Sequence, residues 1–235
     1  MPKTAGTTCL KVFEKVYGDR MLKDYDDKVL SNSKFIQRKN AVFSMLNNRL
    51  SNSAYQNIDC IHGHFMPLKY CILNSSNHFF ITWLRHPVQR LISHYYYWSR
   101  EPLPENAGVL RKKFVTERWT LNRFCLSEEL RDVYSRILWG FPLRKFNFIG
   151  ITEFFDEDIR FFSEQFFGEV REFDLKNFNP DRVDELYSVD KKLKEKIQEF
   201  HKRDMALYEE ALLIRTMRGA RSIKEHLNAK NNPSF

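Results

Sequence analysis

Apolar residues recur at helical spacing through Cys9-Leu10-Lys11-Val12-Phe13-Glu14-Lys15-Val16, which predicts a helix beginning just after Thr8. The polar stretch from Tyr17 to Ser33, with Gly18-Asp19 and Asp26-Asp27, reads as a connector. Phe35, Ile36, Val42, Phe43, Met45, Leu46 and Leu50 then predict a second helix, closed by Ser51-Asn52-Ser53. The period changes at Asn57 to Phe65, a short alternating strand that ends in a glycine turn flanked by His62 and His64. His78-Phe79-Phe80-Ile81-Thr82-Trp83-Leu84 is continuously apolar, as a buried parallel strand is. It stops at Arg85-His86-Pro87, where Pro87 suits the first turn of a helix running to Trp98. Leu130 to Gly140 reads as a core-facing helix ended by its glycine. Phe154, Phe155, Phe161, Phe162, Phe166 and Phe167 recur at helical spacing and read as core. No repeat, low-complexity tract or composition break divides the chain, so one domain is expected over 1–235, with the tail after about residue 215 loosely ordered.

Composition narrows the partners. The chain is 43% hydrophobic and 15% aromatic, with 21 Phe, which is enough apolar surface to fold around a core. Its net charge of +8 and pI near 9.3 suit anionic ligands: a nucleotide, a sulfated or carboxylated glycan, nucleic acid or a membrane surface. Charge alone does not choose among them. Cys9, Cys60, Cys71 and Cys125 form no C-x-x-C and no regular spacing with His, so zinc and redox readings are weak and free thiols in a reducing compartment are expected. No run of about 18 apolar residues and no export signal is visible, so a cytoplasmic chain without a membrane segment is the expectation, with a Golgi or membrane-anchored protein the alternative if an N-terminal anchor is missing from this chain. Asn74-Ser75-Ser76 is a lone glycosylation sequon.

The candidate chemistry begins at the N-terminus. Met1-Pro2-Lys3-Thr4-Ala5-Gly6-Thr7-Thr8 runs directly into the first predicted helix. A helix start offers unpaired backbone N–H groups and the positive end of the helix dipole to an anion. Gly6 permits close approach, Thr7 and Thr8 add hydroxyls and Lys3 adds charge. The nucleotide-hydrolase loop is excluded, because its Lys follows the second Gly and this Lys precedes the only one. An ordinary capped helix start with a solvated Lys is the plain alternative. Arg85, at the strand end, and Ser93, eight positions on, are spaced to straddle one anion. His62 and His64 lie where α/β folds keep their chemistry and are either proton acceptors or structural hydrogen-bonding groups. Arg111-Lys112-Lys113 is a solvated face or a patch for an anionic acceptor.

The order Pro-Lys-Thr-x-Gly-Thr-Thr resembles the 5′-phosphosulfate loop of sulfotransferases that use 3′-phosphoadenosine 5′-phosphosulfate (PAPS). Leu84 to Tyr95 resembles the 3′-phosphate segment of the same family, L-R-[DN]-P-[VI]-x-R-[LA]-x-S-x-[YW], with His86 departing from the usual Asp. His62-Gly63-His64 resembles the histidine pair of glycosaminoglycan 2-O-sulfotransferases. Phe148 to Glu157 looks like a later strand and helix start, with Thr152 or Asp156 as its cap, and Asp204 to Ala211 looks like the terminal helix. The resemblance implies a three-layer α/β domain with a central, mainly parallel sheet of P-loop-kinase type. It implies PAPS held by Lys3, Thr4, Ala5, Gly6, Thr7, Thr8, Arg85 and Ser93. His64 would be the base, His62 its partner or substitute and Lys3 the group that stabilises the leaving oxygen, with no metal and a hydroxyl acceptor, most readily a carbohydrate. By the same resemblance Arg136 stands near the substrate cleft and Arg171 to Arg182 near adenine.

In that family an apolar strand feeds the phosphate loop. This chain opens at the loop, so an upstream start or a missing first strand is expected. Two other classes stay open: a kinase-like nucleotide-dependent transferase, which would want a Walker lysine and an acidic Mg²⁺ ligand, and a non-catalytic basic module that binds anionic glycan or nucleotide. No nucleic-acid motif supports the last beyond charge.

Overall fold

In the computed structural model, which describes residues 3, 4, 6–50, 55–73, 78–168 and 187–231, the first apolar periodicity becomes helix α1 (Gly6–Tyr17), with Thr8, Cys9 and Phe13 buried. A 3₁₀ turn at Gly18–Arg20 leads into strand β1 (Met21–Asp24), inside the stretch whose polarity reads as a connector. Leu22 and Lys23 are exposed and only Asp24 is buried, so no apolar run announces this strand. Helix α2 (Lys34–Leu50) forms where expected, but Phe35, Ile36, Phe43 and Leu46 point outward.

Strand β2 (Cys60–Gly63) pairs in parallel with β1, Gly63 opposite Asp24. A Cβ at Gly63 would overlap the Asp24 carbonyl, which also accepts the His64 amide at 3.0 Å, so the backbones meet too closely for any other residue. Strand β3 (Ile81–Leu84) pairs in parallel with β4 (Phe148–Ile151), and Trp83 stands opposite Gly150. A side chain at Gly150 would overlap the Trp83 indole, which explains a glycine in the middle of a buried strand.

The α/β class and the parallel sense hold, but the expected continuous central sheet does not. Among the described residues the strands form two separate pairs, β1-β2 and β3-β4. A cleft of about 420 Å³ separates them, lined by Cys60–Gly63 and Ile81–Trp83.

Helix α3 (Pro87–Arg100) starts at its proline and packs Val88, Leu91, Ile92 and Trp98 into a core shared with α4 (Val109–Thr116) and α5 (Leu121–Cys125). Helix α7 (Phe155–Phe167) lays Ile159 and Phe162 on Phe13, Trp83 and Phe148, with Phe155, Phe161, Phe166 and Phe167 half-buried against them. Phe154, expected in the core, is exposed, because it precedes the helix and lies under the Arg215 guanidinium instead. Neither Thr152 nor Asp156 caps α7. Phe154 is at the cap position without a side-chain bond, and Thr152 Oγ1 donates instead to the Leu84 carbonyl at 3.0 Å, tying β3 to the end of β4.

The helix expected over Leu130 to Gly140 is shorter. Asp132 adopts a left-handed φ of 49° and only Val133–Ile137 (α6) is α-helical. The start of α6 is held from a distance. Asp204, in the last helix α9 (Lys202–Asn231), accepts from the Tyr134 and Ser135 amides at 3.0 Å each. Burial raises the Asp204 pKa to about 6, against Arg90, whose guanidinium lies 3.9 Å away. Helix α8 (Lys191–Phe200) precedes it, and at their junction His201 shares hydrogen bonds with the Cys125 carbonyl (2.7 Å) and the Asp132 amide (3.2 Å). Tyr208 and Ala211 of α9 pack on Leu84, Ile149 and Ile151. Asn74-Ser75-Ser76 and Arg171 to Arg182 lie outside the described residues.

A buried ion network fixes the loop after β1. Asp24 Oδ2 accepts from Lys69 Nζ at 2.6 Å and from the Tyr70 hydroxyl at 2.7 Å, Lys69 also reaches Asp27 at 3.1 Å, and Asp27 Oδ2 accepts the Met66 amide at 2.6 Å. Burial works against the Asp24 charge, but the Lys69 and Tyr70 hydrogen bonds outweigh it and leave the pKa lowered. Lys69→Met should therefore cost about 2 kcal/mol in urea unfolding at neutral pH, because it strands two carboxylates. The Asp24 contribution is complete above the ordinary value of 3.8 and is lost as pH falls through the lowered folded value, so mutant and wild type should converge in acid.

Candidate functional site

The residue that opens the loop is strained. Lys3 has a left-handed φ of 62°, and its Nζ sits 3.9 Å from the centre of the Tyr97 ring on α3. Burial lowers its pKa to about 8, and the neighbouring charges of Arg85 and then Arg100 push the same way. Thr4 and Thr8 are buried and Thr7 is exposed; Ala5 lies outside the described residues. Helix α1 begins three residues after Lys3.

Arg85 is buried at the end of β3, and one hydroxyl holds its backbone in place. Tyr134 Oη accepts the Arg85 amide at 3.1 Å and donates to the Arg85 carbonyl at 2.9 Å. The Arg85 guanidinium lies 5.6 Å from the centre of the Tyr187 ring. Tyr187 is itself pinned, because Gln89 on α3 donates to its carbonyl at 2.9 Å and accepts its amide at 2.8 Å, while its ring stacks on Tyr96 at 5.5 Å. Ser93 is buried on the same helix. The fold thus brings Lys3 and Arg85, far apart in sequence, into one cationic cluster with Arg100.

The histidines stand at the end of β2. His62 is hydrogen-bonded to the Gly6 backbone, and its Nδ1 pairs with the Tyr25 hydroxyl at 3.2 Å. The Tyr25 ring meets the His64 ring edge-on at 5.1 Å. Among the described residues no hydrogen bond to the His64 ring is seen, and the residue is half-buried. Burial above all lowers the His62 pKa to about 4 and that of His64 to about 3. Both rings are therefore neutral at pH 7, with lone pairs able to accept a proton. A third ring, the fully buried His94 of α3, is held well below the ordinary range by burial, then by Arg90 and Lys3, and packs on Trp98 at 4.6 Å.

Tyr25, Tyr97, Tyr134, Tyr187 and Gln89 have no motif and escape a reading by pattern. The run Tyr95-Tyr96-Tyr97-Trp98 is the nearest signal, and it reads only as a helix face. Arg136 does not face a cleft as a ligand. Its guanidinium donates to the carbonyls of Glu129 (2.8 Å), Val29 (2.5 Å) and Asn32 (3.4 Å), clamping the segment before α2. Arg111 is likewise engaged, with Nη2 donating to the carbonyls of Glu101 at 3.2 Å and Pro102 at 3.0 Å.

Among the described residues no group of three His, Cys, Asp or Glu side chains is set to hold a metal ion, and no helix is long and apolar enough to cross a membrane. All four cysteines are free thiols. Cations on a helix N-terminus beside neutral imidazoles can bind a polyanion and accept a proton from a second molecule. No protein-family model, curated protein or solved structure matches the chain.

Proposed function

We propose that this protein is a PAPS-dependent O-sulfotransferase that moves a sulfuryl group to a hydroxyl, most readily that of a carbohydrate. The observation that carries the reading is the nearness of Arg85 to Lys3, close enough for its charge to lower the Lys3 pKa, each from a segment that resembles a donor-binding segment of that family. A donor with phosphate at both ends asks for two cationic subsites. Lys3 with Thr4, Gly6, Thr7 and Thr8 supplies the first, and Arg85 with Ser93 supplies the second. Ala5 belongs to the first by sequence.

In the reaction the acceptor oxygen attacks sulfur in line as the S–O bond to the donor phosphate breaks. The electron pair leaves on that phosphate, adenosine 3′,5′-bisphosphate departs, and the acceptor proton passes to His64. No covalent enzyme intermediate is required, so positioning and charge stabilisation supply the rate. Lys3 meets the charge that develops on the leaving oxygen. His62, tied to Tyr25 and Gly6, orients the acceptor side and is the substitute base.

The test is calorimetric binding of adenosine 3′,5′-bisphosphate, with ADP as control. Wild type should bind the bisphosphate in preference to ADP, and Arg85→Ala should weaken it by about 1.5–3 kcal/mol, the worth of a hydrogen bond to a charged group. Preference for ADP, or equal binding by the mutant, would overturn the assignment. A plain basic module would instead show steep salt dependence and indifference to Arg85.

A further inference from the structure

Helix α2 (Lys34–Leu50) turns its amide side chains inward and its aromatic ones outward. Two stripes run along it at the same spacing, i, i+4, i+8 and i+11. They are offset by two residues, which puts them on opposite sides of a helix that turns about 100° per residue. The stripe Gln37, Ala41, Met45 and Asn48 faces the protein. Gln37 is buried and its Nε2 donates to the Val29 carbonyl at 2.8 Å and the Asn32 carbonyl at 2.6 Å. Ala41 is fully buried, and Met45 Sδ meets Cys71 Sγ at 3.5 Å. Asn48 Nδ2 donates to the Lys69 carbonyl at 2.8 Å and its Oδ1 accepts from the Tyr55 hydroxyl at 2.8 Å. These partners fix the roll of the helix. The stripe Phe35, Lys39, Phe43 and Leu46 is consequently held toward solvent with Ile36 at its margin, Phe35 being 76% and Phe43 64% exposed.

A contiguous apolar face of this kind marks a docking surface, and the charge around it selects the partner. Lys34, Arg38 and Lys39 are exposed on the same helix. Lys39 stands inside the apolar stripe, and Arg38 flanks it with its guanidinium 4.9 Å from the centre of the Trp139 ring. The helix contains no Asp or Glu. A second copy of the chain would bring this face against itself, with Lys39 meeting like charge and no carboxylate in either helix to pair it. An anionic glycan would meet the cations but leave Phe35, Ile36, Phe43 and Leu46 in water. An anionic bilayer supplies negative headgroups and an apolar phase together, at the depth of a helix lying in its surface. Lys39 reaches those headgroups by laying its stem along its apolar neighbours.

We propose that the outward face of α2 docks on an anionic membrane surface. Phe35, Ile36, Phe43 and Leu46 enter the boundary between headgroups and acyl chains, and Lys34, Arg38 and Lys39 pair with the lipid phosphates and carboxylates. The helix lies in the plane of the bilayer and does not cross it. The proposal rests on α2 and does not depend on the donor assignment.

The experiment is flotation of the full chain with vesicles of phosphatidylcholine alone, and of phosphatidylcholine with about 30% phosphatidylserine, at low and at physiological salt. Wild type should bind the serine-lipid vesicles at least about tenfold more strongly than the neutral ones, since each Lys or Arg near an anionic leaflet is worth about fivefold. Phe35→Ser combined with Phe43→Ser changes only exposed side chains and should weaken binding at least about tenfold. Lys39→Glu keeps every apolar residue and exchanges an attracted charge for a repelled one, so it too should lose at least about tenfold. Both variants alter the surface alone and should unfold at the wild-type Tm. Equal binding to neutral vesicles overturns the charge match. Equal binding by the phenylalanine variant reduces the effect to adsorption of a chain of net charge +8 and overturns the proposal. Wild type that does not float overturns it as well, and a dimer in sedimentation that the phenylalanine variant dissociates assigns the face to a second copy instead.

Discussion

His64→Ala should lower the sulfuryl-transfer rate by about 10²- to 10⁴-fold while leaving adenosine 3′,5′-bisphosphate affinity unchanged. The reason lies in what each histidine already does. His62 is committed, with Tyr25 at 3.2 Å and the Gly6 backbone as partners, whereas His64 has a ring free among the described residues to take a proton. His62→Ala should therefore cost less. Burial holds the His64 pKa near 3, which makes it a weak base in the free protein. An anionic donor in the proposed site would raise that value and make the ring a better base. The acid limb of kcat/KM, which reports the free protein, should fall well below pH 6.5, the ordinary histidine value, while that of kcat should lie higher. Equal losses in the two mutants, or an acid limb of kcat/KM at the ordinary value, would remove His64 from the role.

Lys3→Ala should reduce turnover by about 10²- to 10³-fold, comparable to the loss of one preorganised donor at a developing oxyanion. Lys3 has a second signature that a structural lysine lacks. Burial, then Arg85 and Arg100, bring its pKa down to about 8, so its charge disappears within an accessible range. A bisphosphate in the proposed site would favour the ammonium form. Affinity should thus be level below about pH 8 and weaken about tenfold per pH unit above it, until the proton also leaves the complex. Lys3→Arg keeps its charge throughout and should abolish the break even if it binds less well in absolute terms. Calorimetry from pH 6.5 to 9.5 on both proteins reads this directly, and a break that persists in Lys3→Arg would assign the titration to another group.

Much of the scaffold around these residues is legible in the chain because its apolar period is strong. Trp83 and Leu84 announce β3, Pro87 announces α3, and the phenylalanines of α7 announce a core. What escapes is decided by tertiary partners. Strand β1 is hidden because its neighbours are a glycine and charged residues, and its one buried side chain is Asp24, stabilised by Lys69 and Tyr70 from a distant turn. The short α6 depends on Asp204, some seventy residues later, which no local pattern near Val133 reveals. Arg136 looks like a ligand by position and serves as a clamp because three carbonyls happen to converge on it. The histidine pair and the two cationic segments are visible in sequence, but the aromatic residues that seat them, Tyr25, Tyr97 and Tyr187, are known only from contacts.

The Asp204–Tyr134–Arg85 chain of hydrogen bonds bears on the order in which the protein matures on the ribosome. When residue 200 has emerged, Lys3, Arg85, Ser93 and both histidines have all been synthesised, yet the carboxylate that seats the start of α6 has not. Without it Tyr134 has lost its backbone anchor, and the hydroxyl that fixes Arg85 is unsecured. The backbone of Arg85 is thereby fixed only once α9 docks, so the final helix acts as the closing step of assembly.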